Sequence, residues 1–276
     1  MTKSRKILSA KRKETIEQTA LLVLDDYYPG DDLIKPEVIA RGEKITFSAN
    51  DYNNDFKGLI QCINWKFHIY LDVRRGENLN SGNVRFSFAH ELGHYFINEH
   101  RFALMNEGIL PKVASDPMLT DDIFEKEAEY FASCLLLPKD NFHQDIVETE
   151  FRFDLIIHLS SKYRVSLTAV LLRYLVLGEI PIAVICSRDT RYLWHRTSKG
   201  FPFYRLNLEA ETQIPHGSRA GDYFYEGKRE FKISKLMPAS LWFLSASKDE
   251  LIRTFKEHCF RHQATNQVIS VIWEMK

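Results

Sequence analysis

The sequence predicts an α+β protein in two parts, and three observations carry that reading. Helical apolar periodicity runs from Ile16 to Tyr28 and returns in four segments between residues 83 and 178. Strand-like alternation occupies residues 44–73, between the first helix and the rest. Beyond residue 180 the chain changes to short alternating runs, IPIAVIC, RYLWHR, FPFYRL, DYFYE, REFKISK, SLWFL and VISVIW, which read as mostly β-structure. The expected organisation is a basic flexible leader over 1–14, a first domain over 15–179 with a helix pair at 153–178, and a mostly β C-terminal domain over 180–276.

The elements follow in order. Residues 1–13 carry six basic side chains and few hydrophobes, so they read as a solvated tail. Ile16, Ala20, Leu21 and Leu24 stripe one helix face, and Pro29-Gly30 stops that helix. Ile45 and Phe47, Leu59 to Ile63, and Phe67, Ile69, Leu71 and Val73 form three strands, with Asn64-Trp65-Lys66 able to turn a hairpin between the last two. Asn83 is a fair cap for the next helix. A further helix runs from Asp122 to Leu137, entered by acids and closed by Pro138. The segments 153–163 and 166–177 then form a helix pair ended by Gly178 and Pro181. The stretch 247–260 is open between a helix, through the capping box Ser247/Glu250, and one arm of a hairpin with 267–274.

Composition narrows the function. At 276 residues, 45% hydrophobic and 27% charged, the chain can build a proper core. Lysines plus arginines equal aspartates plus glutamates at 37 each, so global charge argues for neither a nucleic-acid nor a membrane surface as the main partner. Cys62, Cys134, Cys186 and Cys259 form no C-x-x-C pair and read as buried free thiols of a reducing compartment. The N-terminus lacks the apolar core of a secretory signal, and no stretch approaches the roughly 18–20 apolar residues of a membrane span. A cytoplasmic protein is expected.

The chemistry sits in one run, His90-Glu91-Leu92-Gly93-His94, inside the apolar stretch FSFAHELGHYFI. On a helix, positions i and i+4 share a face, so both imidazoles can grip one Zn²⁺ while Glu91 reaches the water on that metal. Burying two histidines and a glutamate without partners is costly, and a metal is the simplest partner. Gly93 costs about 1 kcal/mol against alanine in a helix interior, which implies close packing there. This is the H-E-x-x-H pattern of metal hydrolases.

A catalytic zinc site needs a third protein ligand, and two candidates compete. His100 lies six residues beyond His94, the metzincin spacing, but the position that should be glycine is Ile97. A β-branched residue resists the sharp turn, so the helix is expected to continue past it. Glu125, in EKEAEYFASCLLLP, is the other. Ala128 and Ala132 would let its helix approach the motif helix, and Glu129 could accept the free ring N–H of a ligating histidine. Glu127 reads as a solvated acid.

RFSFAHELGHYF at 85–96, followed about thirty residues later by E-x-x-A-x-x-F-A-x-x-L-L-x-P at 125–138, resembles the ImmA/IrrE family of zincin-like metallopeptidases. The likeness covers roughly residues 15–178. It implies a zincin-like fold of gluzincin type, with a small sheet, an HExxH helix and a glutamate-bearing helix. It also implies zinc on His90, His94 and Glu125, with Glu91 as general base. Position 129 is commonly Asn or Asp in that family and is Glu here. Family members act inside bacteria, and several cleave or inactivate helix-turn-helix repressors in mobile-element or stress-response switches. Many carry their own DNA-binding domain. The short basic leader here implies a regulator partner on a separate polypeptide.

The leading expectation is therefore zinc-dependent endoproteolysis of a protein partner. A strand within 67–73 could hold the substrate by β-addition, and Tyr95, Tyr130, His143 or His158 could donate in the transition state. A second expectation is a zincin-shaped regulator that sequesters a repressor without hydrolysis. A DNA reader built on the helix pair is the third, weakened because Leu167, Val170, Leu171, Tyr174 and Leu175 make its second helix mainly core, with Lys162, Arg164 and Arg173 its few basic groups.

Overall fold

The computed structural model describes residues 8–28, 30, 33–53, 55–108, 122–209, 212–262 and 266–275. The chain is mixed α+β and divides into two compact units, Met1–Asp145 with Ile156–Val170, and Ile146–Leu155 with Leu171–Lys276. Where a single cut near residue 180 is expected, the division is interleaved. The second unit also takes in residues 146–155 and the end of the helix pair. No single helix among the described residues is long and apolar enough to cross a membrane.

The first unit opens with α1 (Ala10–Tyr27). Ser9 caps it by accepting from the Arg12 N–H at 3.2 Å, so the helix starts inside the stretch read as leader. Residues 1–7 of that leader lie outside the described part. A short helix α2 (Pro36–Gly42), absent from the sequence reading, starts on the pre-set φ of Pro36. Strands β1 (Thr46–Asn50), β2 (Gly58–Ile63) and β3 (Lys66–Asp72) then form a sheet of order β1-β3-β2. β1 runs parallel and β2 antiparallel to β3. Asn64 and Trp65, both at positive φ, make the two-residue turn that fixes the register Ile63↔Lys66. Phe67, Ile69 and Leu71 face the core. β3 is the central strand, so the expectation of substrate addition along 67–73 fails: both its edges are already paired.

The motif helix α3 (Gly82–Phe96) starts after Ser81 rather than at Asn83. Ile97 then adopts extended backbone (φ −78°, ψ 114°) with its side chain buried, and α4 (Asn98–Glu107) begins at once. The helix therefore breaks where it was expected to continue. α5 (Ile123–Leu136) is capped by Asp122, which accepts from the Phe124 N–H at 2.8 Å. α6 (Lys139–Ile146), α7 (Phe153–Tyr163) and α8 (Leu167–Leu177) complete the helices before residue 180. Ala169, Val170, Leu171, Arg173 and Tyr174 of α8 are buried.

Arg85 anchors the start of α3. Its guanidinium is 2% exposed and donates to the carbonyls of Tyr163 and Arg164 at 2.7 Å and of Ile34 at 2.5 Å. A buried charge is tolerable only with that many acceptors. One turn earlier, a Cβ on Gly82 would come within 3.3 Å of the Arg164 carbonyl and of Val165.

The second unit is built on an antiparallel sheet of order β5-β4-β8-β7-β6, from β4 (Ile182–Arg188), β5 (Arg191–Thr197), β6 (Lys235–Pro238), β7 (Thr254–His262) and β8 (Gln267–Glu274). Its core gathers Ile185, Phe203, Ile214, Trp242, Phe243, Phe255 and Ile272. Several runs read as strands are not. DYFYE lies in helix α9 (Arg219–Glu226), started by Ser218, whose hydroxyl accepts from the Gly221 N–H at 2.8 Å while donating to the Pro215 carbonyl at 2.6 Å, and stopped by left-handed Gly227. FPFYRL is irregular, and SLWFL holds a 3-10 turn over Ala239–Leu241. REFKISK becomes strand only from Lys235. Aromatic runs of five residues fit either period, so they cannot discriminate. The open stretch 247–260 resolves into both: a four-residue helix α10 (Lys248–Leu251), then β7 paired with β8.

His258 on β7 stacks on Phe153 at 3.9 Å between ring centroids. Burial, aided by the Arg219 charge and opposed by Asp154, lowers its pKa from 6.5 to about 4. Below 6.5 the unfolded chain takes a proton that the folded one refuses, so stability rises with pH across this window. The second unit should lose stability as pH falls from about 6.5 towards 4, and His258→Phe should flatten that slope. Urea titrations followed by fluorescence of the buried Trp194, Trp242 and Trp273 would measure it.

Candidate metal centre

α3 and α5 cross where both carry small residues. A Cβ on Gly93 would lie 3.1 Å from the Ala128 Cα and from Phe131, and 3.2 Å from the Ala128 carbonyl oxygen. Those contacts are tighter than most side chains show, so any Cβ here would need Ala128 and Phe131 to give way, and glycine leaves the backbones at this separation without that adjustment. Three donors meet beside the crossing. His90 Nε2 and His94 Nε2 are 3.1 Å apart, one turn from each other on α3. The Glu125 carboxylate of α5 reaches His90 Nε2 at 3.3 Å and His94 Nε2 at 3.5 Å. Bonds of roughly 2.0–2.1 Å in tetrahedral array have donor–donor edges of about 3.3–3.4 Å. The three separations match those edges, and two imidazoles with a carboxylate are a zinc donor set, so the residues fit the metal.

Electrostatics divides the pair. Burial would lower the His90 pKa, but the hydrogen bond to Glu125 and the charges of Glu91, Glu125 and Glu129 outweigh it and raise the value. Burial dominates at His94 and lowers it to about 4. For Glu125 burial acts upwards, yet hydrogen bonds from both histidines pull its carboxyl well below the ordinary range. Glu91 is buried and rests against β2: a Cβ at Gly58 would sit 2.7 Å from its Oε1 and 3.0 Å from its Cγ.

His100 stands elsewhere. Its Nδ1 lies 3.1 Å from Nδ1 of His94, on the far side of that ring from His90 and Glu125. The extended step at Ile97 turns α4 back and brings His100 behind His94 rather than beside the trio. The outer nitrogen of His94 meets His100, which leaves the His90 ring as the one that Glu129 could serve. Glu129 is half-buried and acts on His90 through its charge. Two groups escaped the sequence reading, Glu127 and its partner Arg12. Glu127 is not a solvated acid: it is buried and meets His100 Nε2 at 3.0 Å and the Arg12 fork at 2.5 and 2.8 Å. Residues i and i+2 of a helix face different sides, which was the available signal that Glu127 and Glu125 do different work. Among the suggested transition-state donors, Tyr95 gives its hydroxyl to Glu43 at 2.9 Å, Tyr130 lies under the Lys13 ammonium, and His143 and His158 are exposed on α6 and α7.

Residues 73–174 match the sequence model of the IrrE N-terminal-like domain, a peptidase family. This segment belongs to the ImmA/IrrE family. The ImmA/IrrE-type segment spans α3, α5 and most of the helix pair, and so holds every residue of the trio. Among solved structures, a transcriptional regulator from Mycobacterium tuberculosis superposes with a TM-score of 0.62 over 96% of this chain and 78% of its own, at 12% identity. At that identity the likeness is one of fold. No curated protein matches the chain in sequence.

Gly93→Val should force α3 and α5 apart. Overpacking of this kind costs about 1–3 kcal/mol, and zinc uptake should fall with it because Glu125 moves with α5. Thermal melting and metal analysis of the purified variant would read both.

Proposed function

We propose that the chain is a zinc-dependent endopeptidase of zincin-like, gluzincin-type architecture that cleaves or inactivates a protein partner. The observation that carries this reading is the convergence of His90, His94 and Glu125 within 4.8 Å of one another, with Glu91 buried one residue along α3. Zinc held by the trio would supply Lewis-acid polarisation of a peptide carbonyl and would acidify water. Glu91 takes the proton of the attacking water and returns it to the leaving amine nitrogen as the C–N bond breaks.

The substrate strand has a natural rim at β2. With Ile63 and Lys66 closing a two-residue hairpin, the backbone groups of Gly58, Ile60 and Cys62 point away from β3. Cys62 N–H donates to the Gly108 carbonyl at 2.8 Å. Gly58 and Ile60 then form the part of that rim nearest Glu91, in place of the 67–73 strand. An extended peptide bound there would run past the general base.

The match to the IrrE N-terminal-like domain and the fold shared with a transcriptional regulator support a regulatory substrate, most simply a separately encoded helix-turn-helix repressor in a stress-response or mobile-element switch, inside the cytoplasm. The same neighbour favours one second reading, a non-catalytic protein that binds and sequesters the repressor. Glu91→Gln separates them. It should retain one zinc per chain by metal analysis and abolish cleavage of a co-expressed repressor as followed by mass spectrometry; regulation that survives in that variant favours sequestration. Gly58→Ala should likewise keep the metal while displacing the Glu91 carboxylate. A base misplaced by about 1 Å loses on the order of 100-fold in rate, measurable as kcat on the same substrate.

A further inference from the structure

Behind the trio, four elements contribute one unbroken line of polar groups. From α3, the outer nitrogen of His94 meets Nδ1 of His100 at 3.1 Å. His100, from α4, is fully buried, stacked on Phe124 at 4.1 Å, and meets Glu127 of α5 through Nε2 at 3.0 Å. Glu127 receives two donors of the Arg12 guanidinium from α1, Nε at 2.8 Å and Nη2 at 2.5 Å. The same guanidinium also holds Glu99 at 2.9 and 3.1 Å.

The proton order along this line follows from its inner end. With zinc held by the trio, the Nε2 lone pair of His94 would go to the metal, and the ring proton of His94 then sits on Nδ1. That N–H can only donate, so Nδ1 of His100 accepts. His100 then carries its proton on Nε2 and donates it to the Glu127 carboxylate, whose charge Arg12 balances. Each group has one role available, and reversing any of them leaves two donors or two acceptors face to face.

We infer that Arg12, Glu127 and His100 are positioning residues that fix the ring angle and tautomer of His94, and thereby couple metal affinity to the seating of α1. This inference rests on the zinc-centre reading. The competing account is that the buried line merely ties four helices together, in which case it moves stability and leaves metal affinity alone.

Zinc affinity of the full chain, measured by competition against a chromophoric chelator, distinguishes these accounts. His100→Phe should raise the zinc Kd by about 10–100-fold. Arg12→Gln, at a half-exposed helix position, should raise it less and in the same direction. The double variant should be no weaker than His100→Phe alone, because groups in series do not add. His100→Gln, whose amide can accept from His94 and donate to Glu127, should recover most of the affinity. If His100→Phe fails to fold, Arg12→Gln and His100→Gln carry the comparison. A wild type that binds one zinc, with Kd unchanged in these variants while their unfolding in chelator shifts, overturns the inference and leaves the zinc centre standing. A wild type that binds none overturns both.

Discussion

The near-contact of two helix backbones at Gly93 and Ala128 is the constraint on which the site depends. Glu125 lies one turn before Ala128, and His90 one turn before Gly93, so the separation at the crossing sets the separation of the donors. Each side chain lost there brings the imidazole and carboxylate closer than ordinary helix packing would. The helix propensity sacrificed at Gly93 is offset by burial of Phe88, Leu92, Phe131 and Leu135 in the surrounding core.

Burying so many ionisable groups in one half of a domain requires that each be answered. α5 carries alternate acids to two different neighbours: Glu125 meets the histidines of α3, and Glu127 meets His100 and Arg12. Neutral His94, with its pKa of about 4, keeps a lone pair available where a protonated ring would have none. In a low-dielectric interior, satisfied polar chains of this kind rigidify what they join, whereas a single missing partner is expensive.

What could be read from residues alone follows from how local the signals were. The long periodic helices, the Asn64-Trp65 hairpin and the acid-capped entry at Asp122 all announce themselves within a few positions. The convergence of Glu125 with His90 and His94 was legible as one of two options, because the small residues of α5 implied close approach. The break at Ile97 was not, since it depends on that side chain finding a buried seat. Nor was the salt bridge of Glu127 with Arg12, which joins positions 115 apart. In the second unit the aromatic runs misled because Ser218 and Gly227, rather than the apolar spacing, decide that 219–226 is helical.

The chain passes between its two compact units three times, at 145/146, 155/156 and 170/171. Phe151 and Phe153, carried by the first detour, lie against Trp273 and His258 of the C-terminal sheet. A gene cut at the apparent border near 180 would therefore strand aromatic side chains on one fragment and uncover their partners on the other. Evolution can vary the C-terminal sheet by substitution, but swapping it wholesale between relatives requires that the ten residues Ile146–Leu155, distant from it in sequence, travel with it.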